Sequence, residues 1–367
     1  MQKKLIALAV AGLVSAPVFA QSNVTVYGVA DAYFGYGKMD DNKFTGVNSG
    51  GWAGSRIGFK GSEDLGNGLK GVFTLEYGID IDQNEGVGSR GTAANSTTRA
   101  RQQFVGLQGG FGFIGLGRQY SPGYYVLKYD AINVVPFSPQ FILAGAQGSN
   151  IVAGSAARVS NSINYKSPDF GGLTLNAIYG FNEENQDNNR QAGDLAAIGA
   201  DYANGPLAIG LVYSQVKQDA GAIATEKFNG VADETKKEAY LGAAYDFGMF
   251  KLMGSYQIIK DATAAEDDNK VWQVGSVVPV SSVGKVHLSY GRTDADTNDS
   301  DAAAWSLLYS HSLSKRTLAY VGYTQVQNDD ATNYSVLARG TEVVNGVTVP
   351  NNDEDSRNFL IGLNHAF

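Results

Sequence analysis

The chain has no cysteine, three histidines and few charges: only 17% of its 367 residues are Asp, Glu, Lys or Arg, against about 25% in average usage. The missing cysteine excludes a disulfide framework, a thiolate metal site and a cysteine nucleophile. His287, His311 and His365 are far apart in sequence, which speaks against a histidine metal centre or charge relay. No window after the first twenty residues approaches 18 consecutive apolar residues, the length a membrane-spanning helix needs. A formal charge of −8 disfavours nucleic acid as a partner.

What is present begins with residues 1–20: Lys3 and Lys4, an apolar stretch from Leu5 to Val14, then Val18-Phe19-Ala20. A basic start, a short apolar run and a small-residue end define a secretory signal peptide, and the run is too short for a transmembrane anchor. Losing it takes away two lysines, so the formal charge moves from −8 to −10 over residues 21–367, read as one domain. Those residues hold most of the 46 glycines, 20 tyrosines and 17 phenylalanines, which are dispersed, not clustered.

After the signal the chain is a succession of ten-residue segments of alternating character. At 23–36, Val24, Val26, Ala30, Ala32 and Phe34 share one face and Thr25, Asp31 and Tyr33 the other. At 55–62, Arg56, Gly58, Lys60 and Ser62 alternate with Ile57, Phe59 and Gly61; at 70–79, Lys70, Thr74 and Glu76 oppose Phe73, Leu75, Tyr77 and Ile79. This is a strand period, and no stretch carries a convincing helical stripe. Connectors alternate between tight turns, such as Asp64-Leu65-Gly66-Asn67-Gly68 and Asn204-Gly205-Pro206, and long polar stretches at 37–52, 81–97, 182–193, 218–236, 261–270, 294–301 and 327–356. The longest, 120–157, is instead aromatic and poor in charge. The count between connectors is about sixteen strands.

The direction of the alternation decides the class. A soluble sandwich or propeller turns its apolar face to a core, and a propeller would also repeat every ~40–50 residues. A membrane barrel turns that face to lipid and keeps a polar, even charged, interior. Asp31, Arg56, Lys60, Lys70, Glu76 and Arg158 all lie opposite apolar faces, so the expectation is an all-β, 16-stranded antiparallel transmembrane β-barrel. The final segment, Asn358 to Phe367, alternates Phe359, Ile361, Leu363, His365 and Phe367, as suits a closing strand that leaves no edge facing lipid.

These residues resemble the general-diffusion porins of the Gram-negative outer membrane, of beta-proteobacterial type. The likeness runs from Val24-Thr25-Val26-Tyr27-Gly28 through Ser55-Arg56-Ile57-Gly58-Phe59-Lys60-Gly61-Ser62-Glu63-Asp64-Leu65-Gly66-Asn67-Gly68-Leu69-Lys70, the most specific stretch. It continues through Arg101-Gln102-Gln103-Phe104-Val105-Gly106-Leu107, Gly115-Leu116-Gly117-Arg118-Gln119 and Ser162-Ile163-Asn164-Tyr165 to Gly362-Leu363-Asn364-His365-Ala366-Phe367. The resemblance implies a cell outer membrane location, a homotrimer amid outer-membrane lipid and lipopolysaccharide, and a long third loop folded into the lumen as a constriction. Independently, a 38-residue aromatic connector at 120–157 packs more economically inside a barrel than out in water.

Arg56, Arg101 and Arg158 fall on strands two, four and six, each eight to ten residues before a tight turn. At ~3.3 Å per residue their heights agree within several ångströms, so they form a basic column on one wall, at positions where the porin family keeps a basic cluster. Lys60 shares the face of Arg56 one step lower, and Asp31 lies on the same kind of inward face. The phase of Arg101 is imperfect because Val105 and Leu107 share its parity, which suggests a bulge. Arg118 matches a family arginine, although its phase groups it with Ile114 and Leu116. The family places acidic residues on the third loop, often as Pro-Glu-Phe-Gly; here Val135-Pro136-Phe137-Ser138 stands in its place and Asp130 is the only acid between 120 and 157. A net cationic constriction follows, with preference for small anionic or neutral solutes, while the acid excess sits in the long loops.

Two motif matches lack the context their chemistry needs. Gly110-Phe111-Gly112-Phe113-Ile114-Gly115 fits G-x-G-x-x-G, but no crossover helix follows. Asp294-x-Asp296-x-Asn298 opens like a calcium loop but has Asp299 and Trp305 where that loop needs Gly and Glu. No cofactor and no metal centre are expected, and no Ser–His pairing of a barrel phospholipase is evident. The other function class that fits is a barrel whose long surface loops act mainly as an adhesin or receptor.

Overall fold

The computed structural model describes residues 23–39, 42–84, 86–90, 97–98, 100–181, 193–217, 235–260, 268–296, 298–336 and 353–367. The expected signal at 1–20 lies outside them, as do the loop acids Asp40, Asp41, Glu183, Glu184, Asp187, Glu266 and Asp267.

The wall starts with β1 (Asn23–Met39). Strand β2 comes in two pieces, Asn42–Ser49 and Arg56–Gly66, both laddered to β1. Next are β3 (Leu69–Gly78), β4 (Ala100–Gly109), β5 (Gly112–Tyr120) and β6 (Arg158–Lys166). They are followed by β7 (Leu173–Gly180), β8 (Leu195–Asn204), β9 (Leu207–Lys217), β10 (Thr235–Asp246) and β11 (Lys251–Lys260). The wall ends with β12 (Asn269–Pro279), β13 (Gly284–Ala295), β14 (Ala302–Ser312), β15 (Thr317–Asn328) and β16 (Ser356–Ala366). Each strand is antiparallel to its neighbours. Strand β16 pairs back with β1, from Val29 opposite Ala366 to Met39 opposite Ser356, and the sixteen-stranded barrel is closed.

The two faces of this wall have the chemistry of a membrane barrel. Along β10, Ala239, Leu241, Ala243 and Tyr245 are exposed while Glu238, Tyr240 and Ala244 between them are buried. Leu211, Tyr256, Val274, Leu288, Leu307 and Ile361 repeat the exposed apolar theme on neighbouring strands. The opposite face carries Glu238, Gln257, Gln273, Ser289 and Ser306, all buried. Polar inside and apolar outside is stable only where lipid replaces water at the outer surface. The tight turns use the residues such turns require: Gly205 sits at φ +55 directly before Pro206, whose ring fixes a negative φ, the sign sequence of a type II′ hairpin.

One connector differs from its reading. Most of 37–52 is not a loop, because Asn42–Ser49 ladders with β1 from Ala32 opposite Ser49 to Met39 opposite Asn42. A ladder needs backbone partners more than apolar side chains, so a polar stretch beside a long first strand joins it. The break comes instead at 50–55. There the buried carboxylate of Asp31 accepts backbone N–H groups from Gly51 (2.7 Å), Trp52 (3.2 Å) and Ala53 (3.1 Å), and also Tyr320 Oη and Asn364 Nδ2 (both 2.7 Å).

Between β5 and β6 the chain forms short 3-10 turns and one helix, α1 (Pro139–Ala146), whose N-cap Ser138 accepts the Phe141 N–H through Oγ at 3.0 Å. Eight mostly apolar residues packed on several sides leave no stripe to read. The segment bonds to the polar face of the wall: Ser306 Oγ donates to Phe137 O (2.6 Å), Gln140 Nε2 to Gln257 Oε1 (2.9 Å), and Gln273 Nε2 to Tyr129 O (3.0 Å). Its firmest latch is Glu238, which accepts from Ser149 Oγ, Asn150 N (2.9 Å) and Gln257 Nε2 (3.2 Å) beside the buried Lys236 ammonium (3.2 Å).

Candidate functional site on the inner wall

The site is assembled on β1 to β6. In the β3–β4 ladder Glu76 lies opposite Gln102 but Tyr77 lies opposite Ala100. Arg101 is therefore the extra residue of a β-bulge, and the bulge turns it toward the face of Glu76 and out of phase with Val105 and Leu107. Its Nε donates to Glu76 Oε1 at 2.7 Å, and Nη2 reaches Tyr120 Oη and Tyr124 Oη, both at 3.1 Å.

Glu76 is the hub that strand phase alone did not single out. Besides Arg101 it accepts Tyr120 Oη (2.8 Å) and Tyr27 Oη (3.0 Å), with Arg56 Nε 3.8 Å away. Arg56 also donates to Gly54 O at 3.1 Å. A Cβ on Gly54 would come within 3.2 Å of Arg101 Nη1, so the excursion pinned by Asp31 passes close behind both arginines. Tyr120 and Tyr124 stack at 3.6 Å with a 4° angle, and the Arg158 guanidinium lies 5.6 Å from the Tyr124 centroid and 5.9 Å from that of Tyr120. Lys60 Nζ stands 5.1 Å from the Tyr27 centroid. Cation–π contacts of this kind hold the charges without neutralising them.

The three arginines thus meet through shared partners: Arg56 and Arg101 on one carboxylate, Arg101 and Arg158 on one tyrosine pair. Their exposure differs. Arg101 is buried and acts as a tether, whereas the Arg56 side chain keeps 24% of its surface. Burial, the largest influence on Tyr124, pushes its hydroxyl pKa up, but Arg101 and Arg158 override it and bring it down to about 8.

Three expected members do not line this cluster. Arg118 pairs opposite Gln103 and shares the face of the exposed Ile114 and Leu116. Its guanidinium is taken up by Ala100 O (2.8 Å), Arg158 O (3.1 Å) and Ser160 Oγ (2.7 Å), so it braces strand edges at the β5–β6 register shift between Gly117 and Gln119. Asp130 is covered by its own segment, bonded to Ser138 Oγ, Ile132 N (2.9 Å) and Ser289 Oγ (3.4 Å). Burial raises its pKa to about 7 against those bonds. Asp31 is on the inner face but fully enclosed by the donors named above.

Residues 7–331 match the sequence model of a family described as Gram-negative porin. Outer membrane porin protein 32 of Delftia acidovorans is 34% identical over 382 aligned positions, which cover 100% of both chains. A solved structure of the anion-selective porin from Comamonas acidovorans aligns with a TM-score of 0.78 at 30% identity, over 95% of this chain and 100% of that one. The trimer form of in-vitro folded OmpT of Vibrio cholerae shares the fold, with a TM-score of 0.68 at 17% identity over 94% and 99% of the two chains.

Proposed function

This chain belongs to the Gram-negative porin family, and from that premise we propose that its channel favours anions and that Arg56, Lys60, Arg101 and Arg158 set the preference. The protein is an outer-membrane porin, and its activity is passive diffusion of small hydrophilic solutes through a water-filled barrel. The observation that carries the anion reading is the charge count at the cluster. Arg101 and Arg56 flank one carboxylate, Glu76, and Lys60 and Arg158 stand over the rings of Tyr27 and Tyr120, which donate to it, a net +3, and Asp130, the acid of 120–157, is turned into the packing. Rings of Arg and Lys lower the energy of anions in a narrow aqueous passage. The anion-selective relative supports the same sign.

The remaining assignments rest on family and fold. Residues 120–157 narrow the lumen, residues 1–20 are removed on export, and three copies assemble in outer-membrane lipid and lipopolysaccharide, as the OmpT trimer suggests. Family and fold are those of channels. Reversal potentials of the reconstituted protein across a potassium chloride gradient test the reading. Anion preference at neutral pH is expected, and cation preference overturns it.

A further inference from the structure

Between residues 122–129 and the inner faces of β6, β7 and β8 lies a cavity of about 390 Å³, within the ~300–1,000 Å³ range of small-molecule sites. It sits toward the tight-turn end of the lumen, beyond the tyrosine pair that carries Arg158. Three of its lining groups are chemically unspent. Lys166 Nζ lies 5.6 Å from the Tyr125 ring centroid, and among the described residues no carboxylate pairs with it, whereas the neighbouring Lys128 is already paired with Asp201. Tyr125 stands edge-on to Tyr124 at 5.9 Å and 82°, and the residue is 42% exposed. Asn176, opposite Lys166 in the β6–β7 ladder, is about nine-tenths buried, and its Oδ1 has no hydrogen-bond partner.

One unneutralised cation, one exposed aromatic ring and one enclosed acceptor without a donor define their complement. An ammonium calls for a carboxylate, a tyrosine ring for a flat apolar body, and an orphan carbonyl oxygen for a hydroxyl. An aliphatic carboxylate leaves the ring unused, and a neutral sugar leaves the lysine unused. We propose that this cavity is a binding subsite for small phenolic carboxylates, separate from the arginine cluster. The proposal rests on the channel reading above, because the cavity opens into the lumen that reading fills with water.

The test is block of chloride current through the full-length protein in a planar bilayer, titrated with 4-hydroxybenzoate, benzoate and acetate. A saturating block by 4-hydroxybenzoate is expected, with benzoate about fivefold weaker for want of one hydrogen bond and acetate without saturation. Lys166→Gln should raise the half-blocking concentration about tenfold through loss of a charged hydrogen bond. Asn176→Ala should remove the difference between 4-hydroxybenzoate and benzoate alone, and steady channel steps in each variant show that it is folded. Chloride current indifferent to aromatic carboxylates, or equal block in both variants, overturns the subsite and leaves the channel standing. So does a block lost in Arg158→Gln but kept in Lys166→Gln. Absence of chloride current in the unaltered protein removes both.

Discussion

Glu76→Gln isolates the one negative charge in the cluster. The amide keeps an acceptor for the tyrosines and nearly the same volume, and it raises the net charge from +3 to +4. At ~5 Å in water one unit charge alters the energy of a passing ion by about 0.8 kcal/mol, and a ~10 Å screening length at 0.1 M salt reduces this to about 0.5 kcal/mol. That is roughly twofold for each ion and opposite in sign for anion and cation, so the permeability ratio should move toward anions about fivefold. At 1 M salt the screening length is ~3 Å, and the same change should shrink below about twofold. Release of Arg101 from its 2.7 Å contact with Glu76 acts in the same direction, since a freed guanidinium adds to the lumenal field. The assay is the reversal potential across a fixed salt gradient at both ionic strengths, with Arg158→Gln expected to shift the ratio the opposite way by a similar factor. An unchanged or lower anion ratio at 0.1 M, or an equal change at both salts, would refute the idea that this cluster sets selectivity through its charge.

Two further outcomes follow from the same geometry. The Tyr124 hydroxyl, brought to about 8 by Arg101 and Arg158, is neutral below that pH and negative above it, so anion preference should decline as pH rises through about 8; Tyr124→Phe should flatten that step in reversal-potential titrations. Glu238→Ala strips the latch on residues 149–151 and leaves Lys236 buried without its carboxylate. Breaking a buried pair costs about 3–5 kcal/mol, visible as a lower thermal midpoint and noisier, larger channel currents, and Lys236→Met with Glu238→Gln should recover much of the loss.

What the sequence disclosed was phase. A two-residue period shows which side chains share a face, so the barrel, the common face of Arg56 and Lys60, and the irregular phase of Arg101 are legible in the sequence. Phase does not show who meets whom across the sheet. Tyr27 and Glu76 are 49 residues apart and Tyr120 and Glu76 are 44 apart, so the hub that gathers the arginines appears only once strands are paired. Asp130 shows the same limit: as the lone acid of its segment it invites a role in the passage, but two donors from its own segment, Ser138 and Ile132, and one from the wall, Ser289, hold it in the packing, and Ser289 is 159 positions away. Arg118 gives its guanidinium to Ala100 O, Arg158 O and Ser160 Oγ beside a register shift, partners that neither its parity nor its match to a family arginine discloses. The polar 42–49 stretch looked like loop because composition is blind to a ladder supplied by a neighbouring strand.

The pairing of β16 with β1 joins residues more than three hundred positions apart: Val29 lies opposite Ala366, and Gly28 and Phe367 exchange backbone N–H···O bonds at 3.1 Å in both directions. The less local its contacts, the more slowly such a sheet folds. Until β16 arrives, β1 and whichever strand is last in place are both open edges, able to template pairing with other chains. The ring is therefore sealed only when Ser356–Ala366 pairs with β1. The interval before that pairing is when this protein most needs protection from its own kind.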